Sequence, residues 1–564
     1  MDFQRIGLIA ALAVISYLLV LQWQKDYGDQ AQPVASTPVS SYSSAPDISA
    51  PDSSGGSANA ANGDIPSTEA PEATAEVAVA GNAAQGGLIE VTTDTLDLLI
   101  DTYGGDIIQA ALPGYLAQLG NDQPLILLEQ NGNRTYTAQS GLTGANGPDA
   151  KGERPRYTAS AKSFSLAEGQ DSLNVDLVYQ QDNNVTITKR FSFKRGEHLV
   201  RVEYLINNQG DQPWQGNLFG QIKRDRSADP SSQTSMGMQS YLGPAFSNTE
   251  NNYEKYDFDD IDEKPYKNKS DAGWVAMLQH YFVSAWIPNP EQSHNYFARE
   301  RNDNYLAGFV SPSINVPAGQ QGSVGANFYV GPKIQDALEQ AAPNLKLTVD
   351  YGWLWWIAQP LFWLLQMIQS VVVNWGLAII LVTVVVKALF FHLSAKAYRS
   401  MAKMRAVSPE LQRLKELYGD DRQKMSQAMM QLYQKEKINP MGGCLPILIQ
   451  MPVFIALYWV LLESVELRHA PFMLWIQDMS VMDPYFVLPI LMGVTMFFQQ
   501  MLNPTPPDPM QAKVMKMLPF VFTFFFLWFP AGLVLYWVVN NILSIAQQWV
   551  ITRSIEAEVQ AKKS

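Results

Sequence analysis

The sequence predicts a multi-pass α-helical membrane protein with six transmembrane helices and a large all-β domain. Long apolar segments lie at the N-terminus and after residue 350, and each can cross a bilayer as a helix. Short stretches of alternating apolar and polar residues fill the region between them, as in antiparallel sheets. The charge divides at the same place: residues 1–350 have 23 Lys and Arg against 41 Asp and Glu, whereas residues 351–564 have 17 against 12.

The charge and the cysteine content exclude several classes of function. The acidic first part repels phosphate, so nucleic acid is not an expected partner. Cys444 is the only cysteine, which rules out an intramolecular disulfide, and the five histidines are scattered, so neither a metal site nor a cofactor is predicted. The sequence also lacks the Walker, GxSxG and HExxH motifs, so no catalytic residues are predicted and we do not expect an enzyme.

The N-terminal segment is predicted to be a retained membrane anchor, residues 1–27. Ile6–Trp23 is almost uninterruptedly apolar and follows Arg5. A cleaved signal peptide is the alternative, but the segment ends in Leu21-Gln22-Trp23-Gln24-Lys25 and has no small-x-small cleavage site. Residues 28–86 are rich in Ser, Ala, Pro, Gly and Asp and cannot bury enough surface to fold, which predicts a disordered linker.

Residues 87–345 are predicted to form an antiparallel β sandwich. The stretches 172–179, 185–193 and 199–206 alternate apolar and polar residues and are separated by turn sequences. A short helix is predicted at 335–341.

Residues 346–373 are predicted to contain an amphipathic helix that lies on the membrane surface. Gln359, Gln366 and Gln369 fall on one side of a helix over Gln359–Val372. Four tryptophans suit the interface between lipid and water: Trp353, Trp355, Trp356 and Trp363.

Residues 374–564 are predicted to form a core of five transmembrane helices with a cytosolic helical hairpin at 394–443. The predicted spans are Trp375–Leu393, Cys444–Leu462, Tyr485–Leu502, and two within Lys513–Ile551 that meet at Pro530-Ala531-Gly532. The loop 394–443 holds ten Lys and Arg, whereas the loop 464–482 holds only Arg468. The positive-inside rule therefore places both termini in the cytosol and the β domain in the periplasm of a bacterial inner-membrane protein.

The hairpin begins at Ser408, a capping residue followed by Pro409. One face of each of its two helices forms an apolar, methionine-rich seam, with Leu411, Leu414 and Tyr418 on the first helix and Met425, Met429 and Leu432 on the second. Mutual packing of the two helices is one explanation of the apolar seam. The other is a flexible surface that receives apolar segments, which suits methionine.

Polar residues within the predicted spans are candidates for function. Lys387, with Thr383 one turn away, lies in an apolar helix where a charge costs about 2.5–3.5 kcal/mol, so it should face protein or water unless it snorkels to the cytosolic surface. Further polar positions are Gln450 and Gln499 and the last-span stripe Trp537, Asn541, Ser544 and Gln548. Interhelical hydrogen bonds, worth about 0.6 kcal/mol each, would explain the amides alone, whereas a lone cation among them favours a hydrophilic groove.

Four motifs resemble the YidC/Oxa/Alb family of membrane insertases, in the Gram-negative form with a large periplasmic domain. They are NPMGGCLP at Asn439–Pro446, QMPVF at Gln450–Phe454, LPILMGVTMFF at Leu488–Phe498 and LWFPAGLVLY at Leu527–Tyr536. Gly273–Gln279 and Tyr351–Trp355 are also similar, so the resemblance covers nearly the whole chain.

The resemblance implies a β-supersandwich domain and a five-helix core whose positively charged groove opens to the cytosol and the lipid. It implies insertion, folding and assembly of nascent integral membrane proteins, alone or with the Sec translocase, and Met451, Phe454 and Phe525 as contacts of the substrate helix. Membrane lipid is a further partner. Two residues depart from the pattern, since Lys387 stands for Arg and Trp537 for Tyr. The tail after Ile551 is short and nearly neutral, so any ribosome contact falls to the cytosolic hairpin.

Two other functions remain open at this point. A solute transporter or channel with a periplasmic binding domain would need a midplane site and often repeats, and the sequence shows no internal repeat. A carbohydrate enzyme of the envelope would need paired carboxylates in a cleft of the β domain.

Overall fold

The computed structural model describes residues 64–66, 87–150, 152–231, 240–418, 421–435, 445–503 and 509–563. The predicted anchor at 1–27 and, apart from 64–66, the predicted linker at 28–86 lie outside the described residues, as does Cys444.

The β domain consists of two sheets. The strands are β1 Leu88–Thr92, β2 Asp97–Asp101, β3 Asp106–Leu116, β4 Pro124–Gln130, β5 Thr135–Thr143, β6 Thr158–Ala159, β7 Ser163–Ser165, β8 Ser172–Gln180, β9 Val185–Lys194, β10 Leu199–Asn208, β11 Trp214–Arg224, β12 Gly243–Ser247, β13 Glu254–Lys255, β14 Tyr266–Ser270, β15 Trp274–Leu278, β16 Phe282–Pro288, β17 His294–Arg301, β18 Asn304–Val316 and β19 Gln321–Pro332. The ten-stranded sheet has the order β14-β17-β18-β11-β5-β4-β3-β2-β1-β7, and the nine-stranded sheet β13-β12-β15-β16-β19-β10-β9-β8-β6.

The prediction of a large all-β domain is confirmed, and alternation along the strands explains it. In β9 and β10 every second residue is buried, and the two strands pair antiparallel with Tyr204 opposite Lys189. Apolar residues of both sheets meet in one core, for example Val91 of the first sheet and Phe191 of the second. One pairing departs from the antiparallel pattern, because β1 and β7 run parallel.

One short helix, α1 Phe258–Glu263, lies within the β domain, and the other helices follow its last strand. They are α2 Gln335–Ala341, α3 Trp355–Val372, α4 Trp375–Leu389, α5 Phe391–Ala406, α6 Ser408–Tyr418, α7 Arg422–Lys435, α8 Leu445–Glu463, α9 Val487–Leu502, α10 Pro509–Phe525 and α11 Ala531–Lys563. Helix α2 coincides with the helix predicted at 335–341.

Helix α3 has two unlike faces. Its buried residues Ala358, Leu361, Phe362 and Leu365 belong to the core of the helical region, where α3 packs against α4 and α8. The four tryptophans predicted for a membrane surface are all more than half exposed. The chain reverses after α3 at Val373, which adopts a left-handed φ of 55°, and the Asn374 side chain caps α4 by accepting from the Leu377 amide.

The first helix of the core differs in length from its prediction. We predicted a span over Trp375–Leu393, but α4 ends at Leu389 and the chain bends by 69° before continuing as α5. The Phe390 amide still donates to the Val386 carbonyl, so the helical hydrogen bonding stops only after it. Because Phe390, Phe391 and Leu393 keep the segment largely apolar past the bend, hydropathy alone could not locate it.

The predicted turn at Pro530-Ala531-Gly532 is present between α10 and α11. A 3₁₀ turn over Phe526–Trp528 precedes it, and the Ala531 and Gly532 amides donate to the Val481 and Met479 carbonyls of the preceding loop. These bonds fix where α11 begins.

Helix length and hydropathy single out few spans among the described residues. Ala531–Ile555 is long and apolar enough to cross a membrane, and the bent pair α4 and α5 passes the same test together. Gln450–Glu463 and Val487–Leu502 are shorter apolar helices. Six transmembrane helices are therefore not confirmed by the structure.

Candidate functional site

The centre of the candidate site is a hydrogen bond between α4 and α11. The Lys387 ammonium donates to Ser544 Oγ at 2.6 Å, and Ser544 Oγ in turn donates to the Asn540 carbonyl at 2.7 Å. Lys387 is only 8% exposed, and no carboxylate of the described residues lies within 4 Å of its ammonium. A buried cation with neutral oxygen partners can attract a negatively charged group that comes close to it.

Further polar side chains lie about one helical turn from this bond, on α4 and on both sides of Ser544 on α11. Asn541, one turn before Ser544, donates to Thr495 Oγ1 of α9 at 3.2 Å. Gln548, one turn after Ser544, donates to the Leu502 carbonyl at 3.1 Å, and its Oε1 atom has no partner among the described residues. Thr383 lies one turn from Lys387 and donates to the Ile379 carbonyl of its own helix.

All five of these polar residues are less than a tenth exposed: Thr383, Lys387, Asn541, Ser544 and Gln548. Asn541, Ser544 and Gln548 bond to other helices or to the segment after α9, as the alternative of interhelical hydrogen bonding expects. Gln450 and Gln499 are partly exposed, and no hydrogen bond joins either to Lys387 or α11 within the described chain.

Trp537, one turn before Asn541 on α11, places an aromatic side chain next to these polar residues. Trp537 packs edge-on against Phe454 with ring centroids 4.3 Å apart, and its indole N–H is buried without a partner among the described residues. Met451, one turn before Phe454 on α8, is 43% exposed, and Phe525 at the end of α10 is 42% exposed. Met451 and Phe525 are therefore open on the surface of α8 and α10, whereas Phe454 is partly covered by Trp537.

The helices of the predicted hairpin are both formed. Helices α6 and α7 pack against each other, and Leu432 is buried while Met430 is 55% exposed. The seam methionines Met425 and Met429 are partly buried, so mutual packing accounts for at least part of the predicted seam, whereas the exposed Met430 lies outside it.

A second polar cluster, missed by the sequence reasoning, joins the β domain to the end of α8. Lys333, directly after β19, lies 3.5 Å from Glu463, and both side chains are almost fully buried. Ser240 donates to the Glu463 carboxylate at 3.2 Å, and a ring nitrogen of His280 lies 2.9 Å from the Leu462 carbonyl. Burial lowers the pKa of Lys333 against the opposing effect of Glu463. The one signal in the sequence was Glu463, a single acidic residue at the C-terminal end of an apolar segment.

The loop after α8 strengthens this junction. Arg468 donates to the Ala117 carbonyl of the β domain at 3.0 Å and lies over the Phe282 ring. Burial raises the pKa of Glu466 to about 7 against the lowering effect of a backbone hydrogen bond, and the repulsion of Asp336 adds a smaller increase. Polar contacts of Glu463 at the end of α8 and of Arg468 in the following loop thus connect the helical region to the β domain.

The described residues contain no group of three or more His, Cys, Asp or Glu side chains placed to hold a metal ion.

The chain matches two family models that together cover most of its length. Residues 88–364 match the model of the YidC periplasmic domain, and residues 367–558 match the model of the 60Kd inner membrane protein.

Curated relatives match over the whole chain. A membrane protein insertase YidC from Marinobacter nauticus is 56% identical and covers 100% of both chains. One from Pseudomonas putida is 58% identical over 99% of each chain.

Solved structures give weaker likenesses. A crystal structure of an active YidC insertase with its first transmembrane domain resolved is 18% identical, covers 82% of this chain and 92% of its own, and has a TM-score of 0.37. A galactose mutarotase related enzyme from Lactobacillus acidophilus is 9% identical, covers 43% of this chain and 97% of its own, and has a TM-score of 0.30. At TM-scores below 0.5 neither likeness carries an argument.

Proposed function

The chain belongs to the YidC family of membrane protein insertases, which are inner-membrane proteins with a periplasmic domain, and we propose that Lys387 guides its substrates into the membrane. The observation that carries this proposal is the buried Lys387 ammonium, held by the Ser544 hydroxyl without a carboxylate among the described residues. A cation that already had a carboxylate partner would attract an incoming acidic segment far less.

The proposed mechanism is electrostatic capture followed by apolar transfer. The acidic tail of a substrate is drawn toward Lys387 and crosses beside the polar line formed by Thr383, Asn541, Ser544 and Gln548. Its apolar helix then passes Met451, Phe454 and Phe525 into lipid. Transfer from water supplies about 25 cal/mol per Å² of apolar surface, so a whole helix moves without nucleotide hydrolysis.

For capture to occur, the polar line must be reached from the cytosol. The five polar residues are less than a tenth exposed, so we propose that an arriving substrate separates the cytosolic ends of α4 and α11. Among the described residues, the side-chain hydrogen bond that this breaks is the single one from Lys387 to Ser544. The amides of Gln450 and Gln499 are partly exposed and would solvate the tail while it crosses.

We further propose six transmembrane helices with both termini in the cytosol. The ten basic residues of 394–443 support the cytosolic position of the hairpin. Residues 1–27 would be the anchor, 28–86 the linker, 87–345 the periplasmic domain, 346–373 the interfacial helix and 374–564 the insertase core.

The proposed partners follow from these positions. Nascent membrane proteins would meet the hairpin first, and the ribosome would contact the same basic surface. The exposed tryptophans of α3 would rest among lipid headgroups. Cooperation with the Sec translocase rests on the family membership alone.

Depletion of the protein tests the proposed function. Small single-span membrane proteins should stay uninserted after depletion, and the wild-type chain should restore their insertion. Normal insertion in depleted cells would contradict the proposal.

A further inference from the structure

A short piece of the predicted linker is docked on the outer face of the ten-stranded sheet. Within residues 28–86 the structure describes only Asp64, Ile65 and Pro66. Lys223 of β11 holds the Asp64 carboxylate at 2.6 Å, and the Asp64 carbonyl accepts from Gln221 at 3.0 Å and from Arg299 of β17 at 3.1 Å. Three side chains from two strands thus converge on one residue.

The strand register makes this convergence specific. Lys223 and Arg299 both pair with Leu306 of β18. The side chains of Lys223, Leu306 and Arg299 therefore form one row across the sheet. Leu306 is fully buried although it belongs to neither of the two apolar cores of the described residues. A leucine between two cationic side chains suits the binding of a peptide that combines a carboxylate with apolar residues.

The remaining residues fit the same ligand. Pro66 is buried and Ile65 is half-buried. A relay from Asp106 through Gln139 orients the Gln221 amide, because Gln139 donates to Asp106 at 3.0 Å and accepts from Gln221 at 2.8 Å. Gln221 Oε1 and Arg299 Nε are also buried here, without a partner among the described residues.

We propose that this face of the β domain is a docking site for an acidic–aliphatic–proline peptide and that its occupant is the chain's own linker at Asp64–Pro66. Because the segment belongs to the same chain as the site, its effective concentration there is about millimolar, so a weak site is enough to hold it. Docking attaches Asp64–Pro66 to the β domain ahead of β1. The inference does not depend on insertase activity.

Zero-length carbodiimide cross-linking of the full chain in membranes tests the site, because it joins carboxylates only to amines in direct contact. The expected product links Asp64 to Lys223. Asp47, followed by Ile48 but not by proline, and Asp52 are internal controls in the same linker. Their products with Lys223 should be at least about tenfold rarer, since only docking raises the effective concentration above that of the tether. Equal yields from the three aspartates would overturn the proposal.

Two variants test the recognition without changing the linked pair or the cores. Arg299→Gln should lower the yield of the Asp64–Lys223 product, whereas Lys267→Gln on the exposed face of β14 should leave it unchanged.

A third experiment changes the linked pair itself. Exchanging the charges with Asp64→Lys and Lys223→Asp should restore the cross-link that Asp64→Lys alone abolishes. An unchanged yield in Arg299→Gln, or no cross-link after the exchange, would contradict docking at this row.

Discussion

The Lys333 ammonium and the Glu463 carboxylate lie 3.5 Å apart, and the two side chains are only 4% and 6% exposed. Lys333 follows the last strand of the β domain, and Glu463 is the final residue of α8. A buried ion pair orients the two parts relative to each other more than it stabilises them, because both charges lose their hydration. Loss of this ion pair should therefore loosen the junction before it destabilises the β domain or the helical region.

The first prediction concerns this pair. Glu463→Gln should destabilise the junction by about 3–5 kcal/mol, because it leaves a buried ammonium without its counter-charge. Thermal unfolding in detergent, followed by protease sensitivity near residue 333, measures the effect. The double variant Lys333→Met with Glu463→Leu should recover most of the loss. A double variant as unstable as the single one would show that the charges are not the reason.

The second prediction concerns pH. The folded pKa of Glu466 is raised to about 7 from 4.5, so the folded state keeps a proton that the unfolded state has released. The contribution of Glu466 to stability is therefore fully present below pH 4.5 and is lost as the pH rises through 7. Glu466→Gln should be more stabilising at pH 8 than at pH 5, measured by thermal unfolding at both values. The same difference at both pH values would contradict the shift.

The third prediction concerns Lys387. Lys387→Arg should be nearly silent in insertion assays, because it keeps the charge, and Lys387→Glu should be severe. Lys387→Ala should harm a single-span substrate with an acidic tail more than the same substrate with a neutral tail. Ser544→Ala is the matched control, since it removes the hydrogen bond and leaves the charge. Equal losses for both tails would show that the charge does not act by attraction.

The fourth prediction separates the two explanations of the hairpin. Leu432 belongs to the seam and is 8% exposed, whereas Met430 lies beside the seam and is 55% exposed. If the surface receives apolar segments, Met430→Gln should reduce insertion without lowering the melting temperature. Leu432→Gln should lower the melting temperature through lost packing, as large core changes do by about 2–5 kcal/mol. Full insertion by Met430→Gln, or by a chain lacking residues 408–436, would refute a receiving role.

The fifth prediction concerns topology. In a Cys444→Ser background, a single cysteine at Lys267 should react with a membrane-impermeant maleimide in intact cells. One at Gln423 in α7 should react only after the membrane is broken. Labelling of Gln423→Cys from outside would exclude the proposed six-helix arrangement.

The sequence predicted the elements with clear periodicity better than it predicted their ends. Strands β8 to β10 and helix α2 lie where alternation and turn residues placed them, because one face of each is buried and the pattern records it. The end of α4 at Leu389 was missed, since apolar residues continue past the bend and hydropathy does not distinguish a straight helix from a broken one.

By itself the sequence determined the large all-β domain, the family and the polar residues within the apolar helices, because these depend on composition, local periodicity and short motifs. Only the tertiary structure decided that Lys387 meets Ser544, that Lys333 meets Glu463 and that Asp64 meets Lys223. Each of these pairs is separated by more than a hundred residues. Such contacts depend on how whole elements pack and on which polar groups must find a partner once water is removed, and neither leaves a pattern in the neighbouring residues.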